Sequence, residues 1–203
     1  MELWLIRHGL PVRIDGGDGP ADPGLAPDGV HQAERLAAHW APHGPDAVYA
    51  SPMRRARETA APLAAAIGVE AVCDEGLKEF DAHLDFYVPI EELRADEGRW
   101  QQLVEEWLSP EAETARQTFR DGVVTTVDAI VERHRGQRVA VVCHGGVINA
   151  YVSRLLALPG TMFFEPAYTS VSRVLAGSSH KQLVSLNELP HLPTLSVPAS
   201  APT

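Results

Sequence analysis

The chain has 203 residues, 45% hydrophobic and 22% charged, which suits the core of one domain of ordinary globular composition. Seventeen Lys and Arg stand against 27 Asp and Glu, a formal charge of −10. That balance argues against a nucleic-acid surface, which needs a basic stripe to meet phosphates. Lys78 and Lys181 are the two lysines, so an anion site has to be built from Arg and His. Cys73 and Cys143 are too few for a disulfide framework or a four-Cys zinc site, and a reduced, cytoplasmic compartment is expected. Neither a signal-peptide pattern nor an apolar run of about 20 residues occurs, so the expectation is a soluble protein without a membrane partner.

An apolar run at 3–6 opens the chain as a buried strand. Five Gly and three Pro between 9 and 24 make a loop. Pro27 starts a helix in which Val30, Ala33, Leu36, Ala37 and Trp40 recur at helical spacing, stopped by Pro42 and Gly44. A second strand spans 46–50. Ser51 and Pro52 read as N-cap and first residue of a helix running to about Ile67, with Gly68 at its C-terminal end. A third strand falls at 69–73. Residues 80–111 read as an inserted segment, irregular up to a short amphipathic helix carrying Trp100, Leu103, Val104, Trp107 and Leu108. A longer helix bears Phe119, Val123, Val127, Ile130 and His134 on one face. A strand at 139–143, a helix at 147–156 and strands at 169–175 and 182–186 follow. The Pro-, Ser- and Ala-rich residues 193–203 read as a flexible tail. Alternating strands and helices indicate an α/β fold with a largely parallel sheet, and 1–192 reads as a single domain.

In such sheets, ligands sit beyond the carboxyl ends of the strands. Two predicted strands end in His-Gly, as Arg7-His8-Gly9 and Cys143-His144-Gly145-Gly146. A third ends at Ser51 and feeds Arg54, Arg55 and Arg57. Imidazoles and guanidiniums can therefore converge at one edge, where planar guanidiniums match phosphate oxygens and a helix N-terminus adds oriented N–H groups. A lone His after a strand is usually structural; agreement among three strand ends changes that weighting. Such a site binds phosphate without lysine or metal.

The same residues resemble the signature of the histidine phosphatase superfamily, which includes cofactor-dependent phosphoglycerate mutases. Arg7-His8-Gly9 carries the resemblance first. Ser51-Pro52-Met53-Arg54-Arg55-Ala56-Arg57-Glu58-Thr59-Ala60, Leu77-Lys78-Glu79 and Cys143-His144-Gly145-Gly146 extend it. Leu25 with Gly29, Gln32 and Ala33, and Asn187 with His191-Leu192, stretch it over most of 3–192. It implies a phosphoglycerate mutase-like, three-layer α/β/α sandwich. It also implies a metal- and cofactor-independent phosphomonoesterase whose partner is a phosphorylated small molecule. His8 becomes the nucleophile that takes the phosphoryl group, and Arg7, Arg55 and His144 hold its oxygens. Glu79 matches the general acid, with Asp81 in reserve. Gly145 and Arg13 complete the expected substrate-binding set, and a homodimer is among the assemblies open to such a chain.

The sequence also departs from the family. Many relatives follow the first tripeptide with Glu-Thr and a Trp-Asn pair; here Leu10-Pro11-Val12-Arg13 stands instead, which leaves Arg13 as the candidate replacement ligand. The acid is followed by Phe80-Asp81-Ala82-His83-Leu84-Asp85-Phe86-Tyr87-Val88. Phe80, Phe86 and Tyr87 are expected to wall the pocket, whereas Trp100 and Trp107 are expected to pack. The alternative readings are a phosphoglycerate mutase and a non-catalytic phospholigand-binding module on the same fold. A cysteine-based phosphatase needs Arg six positions after Cys, where Asn149 and Glu79 stand; a P-loop motif is absent; and His39 with His43 lacks a third zinc ligand.

Overall fold

Along strand β1 (Glu2–Arg7), Leu3 and Leu5 enter one apolar cluster and Trp4 and Ile6 another, so both faces of the strand are buried. The computed structural model describes residues 1–160, 162–177 and 180–192, and the predicted tail at 193–203 lies outside them. After β1 come helix α1 (Pro27–Trp40), β2 (Ala47–Ala50), α2 (Arg54–Ile67) and β3 (Ala71–Cys73). The chain continues through α3 (Ile90–Ala95), α4 (Glu97–Leu108), α5 (Pro110–Arg133), β4 (Arg138–Cys143), α6 (Gly145–Leu155), β5 (Val171–Ala176) and β6 (Lys181–Glu188).

The six strands form one sheet in the order β3-β2-β4-β1-β5-β6. The first four are mutually parallel, β5 runs antiparallel to β1, and β6 antiparallel to β5. Near-continuous apolar runs such as Val139–Cys143 suit strands covered on both faces. On one face α1 and α2 place Leu36, Trp40, Ala60 and Leu63 against Trp4, Val48 and Val142. On the other, α5 and α6 place Val127, Ile130, Ile148 and Tyr151 against Leu3, Leu5 and Val141. The result is the three-layer α/β/α sandwich. Among the described residues no helix is long and apolar enough to cross a membrane.

Several local expectations are corrected. Val30 is exposed, because the buried stripe of α1 is Gly29, Ala33, Leu36, Ala37 and Trp40, and Val30 lies one position off it. Gly29 is needed at the start of that stripe: a Cβ there would stand 2.0 Å from the Leu10 carbonyl oxygen. Ser51 and Pro52 do not cap α2. The Ser51 N–H still continues the sheet pairing by donating to Val142 O at 2.9 Å, and the helix begins at Arg54. The 80–111 segment contains an additional short helix, α3, whose six residues are too few to show a helical period. His134 stands just past the end of α5, not within it.

Glu2 ties three strands together. Its carboxylate accepts from Arg138 Nε on β4 at 2.8 Å, from Arg173 Nη2 on β5 at 2.6 Å, and from Trp4 Nε1 at 3.0 Å. Burial alone pushes the Glu2 carboxyl up, but the bonds from Trp4, Arg173 and Arg138 outweigh it and lower its pKa from 4.5 to about 2. The depressed folded-state value means that the stabilisation is complete above the unfolded value and is lost as pH falls from 4.5 toward about 2. Glu2→Gln is expected to reduce stability by about 1–2 kcal/mol at neutral pH, read from denaturant midpoints. The difference from wild type should shrink in acid; a constant difference would remove Glu2 from this role.

Candidate active site

The register of β1 against β4 pairs Arg7 with Cys143, so the next residue on each strand is a histidine at the same edge. The His8 N–H donates to Cys143 O at 3.0 Å, and the His8 and His144 ring centroids stand 5.1 Å apart. One tetrahedral anion spans that gap. On the other side of β4, β2 ends at Ala50 opposite Val142, which places Ser51 within 2.7 Å of His144 Nε2. From α2, Arg55 reaches the same point, its Nε 3.3 Å from His8 Nε2. Arg54 and Arg57 are exposed, and Arg55 alone of the three is buried.

A backbone hydrogen bond defines which nitrogen of His8 carries the proton. His8 Nδ1 lies 2.8 Å from its acceptor Gly9 O, so the proton sits on Nδ1 and the Nε2 lone pair faces Arg55. Ser51 Oγ accepts from the Met53 N–H at 3.3 Å and shares a hydrogen bond with His144 Nε2 at 2.7 Å. Burial, and then the Arg55 charge, hold both rings well below the usual histidine range, so they are neutral at physiological pH. Arg7 Nε, Arg55 Nη1 and His144 Nδ1 are buried without a hydrogen-bond partner in the protein. Buried donors of this kind are costly unless a ligand meets them. Two guanidiniums and a second imidazole with unmet polar atoms, gathered about the neutral His8, describe an anion cradle.

Glu79 stands beside α6. Its carboxylate accepts the Phe80 N–H and the Gly146 N–H, each at 2.9 Å. Gly146 is required by this approach, since a Cβ there would fall 2.1 Å from Glu79 Oε1. Burial first, and the neighbouring Asp81 carboxylate second, raise the Glu79 pKa to about 7, against the lowering effect of those N–H groups and Arg55. Asp81 is likewise raised, by burial. The pair therefore holds a proton where an isolated carboxylate has lost it. Gly145 is the first residue of α6, directly after His144, so the helix begins two residues before the predicted 147.

Arg13 is not delivered to this cluster. Its guanidinium lies at the exposed surface, bound to Asp15 at 2.5 Å and Glu92 at 2.7 Å. Phe80 likewise turns away from the wall role: its ring packs edge-on against Trp107 at 4.7 Å and Phe119 at 5.5 Å. Trp107 packs as expected, and Trp100 lies under the Arg94 guanidinium at 5.0 Å. Tyr87 does reach the site, with Arg55 Cζ 4.7 Å from its ring centroid. Cys143 is buried in the core, its thiol pushed up by burial and by Glu79, and so stays protonated.

Sequence reasoning left several contributors without a role. Thr59 accepts the Gly9 N–H at 2.9 Å and donates to Arg55 O at 2.7 Å, which joins the nucleophile loop to the arginine helix. Tyr168 lies under Arg7 Cζ at 4.0 Å, and Arg7 Nη1 donates to Pro166 O at 2.5 Å. Thr169 holds φ +59°, a strained value for a β-branched residue. It is kept there by N–H bonds to Arg7 O and His8 O, and by its hydroxyl against His191 Nε2 at 3.0 Å. Tyr168 and Thr169 directly precede β5, the strand beside β1, and no sequence motif marks them.

Comparisons with known proteins bear on the family and the fold. The family model for the histidine phosphatase superfamily (branch 1) matches residues 3–189. "Probable phosphoglycerate mutase GpmB" from Yersinia enterocolitica is 28% identical over 168 residues, 78% of this chain and 76% of that protein. Among solved structures, phosphoserine phosphatase from Entamoeba histolytica in complex with phosphoserine superposes with a TM-score of 0.74 and 26% identity, over 95% of this chain and 99% of that one. Alpha-ribazole phosphatase from Shigella flexneri shares the fold at TM-score 0.68 and 22% identity, over 93% and 96%. With the strand-end histidines, the Arg55 helix and a family match from residue 3 to 189, this chain belongs to the histidine phosphatase superfamily, branch 1.

Proposed function

We propose that this protein is a phosphomonoesterase that hydrolyses a phosphorylated small molecule through a phosphohistidine on His8. The observation that carries the reading is the set of three buried, unpartnered nitrogens, Arg7 Nε, Arg55 Nη1 and His144 Nδ1, near a neutral His8 whose Nε2 holds a lone pair. His8 Nε2 forms a bond to phosphorus while the phosphorus–oxygen ester bond breaks, and Glu79 gives its proton to the departing oxygen. Water then attacks the phosphohistidine, Glu79 takes a proton from it, and phosphate leaves with His8 restored. Arg7, Arg55 and His144 meet the charge on the equatorial oxygens, so side chains supply the positive charge that phosphoryl transfer requires.

A mutase must also retain a substrate with a second anionic handle. Arg13, close to the nucleophile in sequence and a basic candidate for that task, is instead held at the surface by Asp15 and Glu92, which favours hydrolysis. A non-catalytic module has no need of a protonated carboxyl beside a neutral histidine. Acid quench during turnover of a labelled phosphomonoester should trap a phosphoryl group that is acid-labile and base-stable, mapped to His8. Chelators should leave the rate unchanged. Strict dependence on added Mg²⁺ or Zn²⁺, or label retained in a phosphorylated isomer of the substrate, overturns the proposal.

A further inference from the structure

The arginines of the cradle are each backed by a tyrosine. Arg7 Cζ lies 4.0 Å from the Tyr168 ring centroid and Arg55 Cζ lies 4.7 Å from that of Tyr87. The Tyr168 ring is also 5.8 Å from His8. The two tyrosines arrive from distant parts of the chain. Tyr168 precedes β5, whereas Tyr87 is pinned to the loop after β1, where Ile14 N–H donates to Tyr87 O at 2.9 Å and Tyr87 N–H to Ile14 O at 2.8 Å. Their hydroxyls are joined by a hydrogen bond. In a pair of hydroxyls so joined, one proton makes the bond and the other is left to be donated elsewhere. Leu10, Pro11 and Val12, which follow the nucleophile, offer no side-chain donor at all.

We propose that Tyr87 and Tyr168 form a bracket that holds the two guanidiniums in their phosphate-binding attitude, and that the Tyr87 hydroxyl donates a further hydrogen bond to the phosphoryl group. A guanidinium lying on an aromatic face is attracted to the ring and directs its N–H edges away from it. Here those edges carry the unpartnered Arg7 Nε and Arg55 Nη1. Tyr87 is thus a binding residue and Tyr168 a positioning residue. The inference rests on the phosphomonoesterase reading of the same site.

The test measures orthovanadate binding, kcat/KM on phosphomonoesters, and melting temperature for wild type, Tyr87→Phe, Tyr168→Phe and Tyr168→Leu. Tyr87→Phe should weaken vanadate binding about tenfold, the effect of one hydrogen bond to a charged acceptor, with a matching fall in kcat/KM. Tyr168→Phe keeps the ring under Arg7 and should lose only about two- to threefold, whereas Tyr168→Leu should lose about tenfold through the vacated aromatic face. Melting temperatures of the two Phe variants should match wild type. Wild-type affinity in Tyr87→Phe overturns the donated hydrogen bond; a Tyr168→Leu loss no larger than that of Tyr168→Phe, or losses that only parallel a fall in melting temperature, overturn the bracket. If the wild-type protein itself fails to bind vanadate, the phosphate reading of the whole site falls, and the bracket with it.

Discussion

His8→Ala is expected to lower turnover of any phosphomonoester substrate by about 10⁴-fold or more, because the variant loses the atom that forms the intermediate rather than one of several supports. The same variant should still bind phosphate or vanadate, since Arg7 Nε, Arg55 Nη1 and His144 Nδ1 are untouched. The His8 side chain is buried, but its hydrogen bonds are a donation to the adjacent Gly9 O and a 3.3 Å contact from Arg55, so the fold should tolerate its removal. Steady-state rates on a phosphomonoester panel, with calorimetric titration of the variant by phosphate, separate the two effects. Turnover within tenfold of wild type would remove His8 as nucleophile. Loss of binding together with turnover would make it a structural residue.

Glu79→Gln should lower kcat by about 10²–10⁴-fold on alkyl phosphates, the range typical of a lost general acid. Aryl phosphates with acidic leaving groups need little protonation and should lose much less at the first step. The pH dependence has a definite sign. The protonated form of Glu79 drives ester cleavage, so kcat/KM should fall as pH rises through about 7. His8 is held neutral well below the ordinary histidine range, so it imposes no acid limb near pH 6.5. Asp81→Asn removes the negative neighbour that helps hold the proton on Glu79; the Glu79 pKa then drops, and the alkaline limb moves to lower pH. A profile of wild type and Asp81→Asn measured on one alkyl substrate checks this. An unmoved or alkaline-shifted limb would assign it to another group.

Much of this protein is written in local pattern. Leu3, Leu5, Trp4 and Ile6 alternate between two cores, and the run Val139–Cys143 is apolar throughout, so a two-sided, largely parallel sheet follows from side-chain period alone. His8, His144 and Arg55 were legible for the same reason: each directly follows a buried strand or opens the helix after one, where parallel strands must deliver their ends to one edge. Glu79 was legible through its likeness to the family, but its raised pKa was not, because that depends on burial and on Asp81 folding back beside it.

Tertiary structure decided the rest. Arg13 belonged to the expected ligand set by position, yet Glu92, 79 residues away, draws it to the surface. Phe80 sits next to the acid in sequence, but Trp107 and Phe119 bury its ring among helices. Tyr168 carries no motif that marked it, and it reaches Arg7 only because β5 pairs antiparallel with β1. Period and strand-end position are properties of neighbouring residues and survive in sequence. Which charge neutralises which, and which ring covers which guanidinium, depends on contacts between segments about 30 to 160 residues apart, and those exist only once the chain has closed on itself.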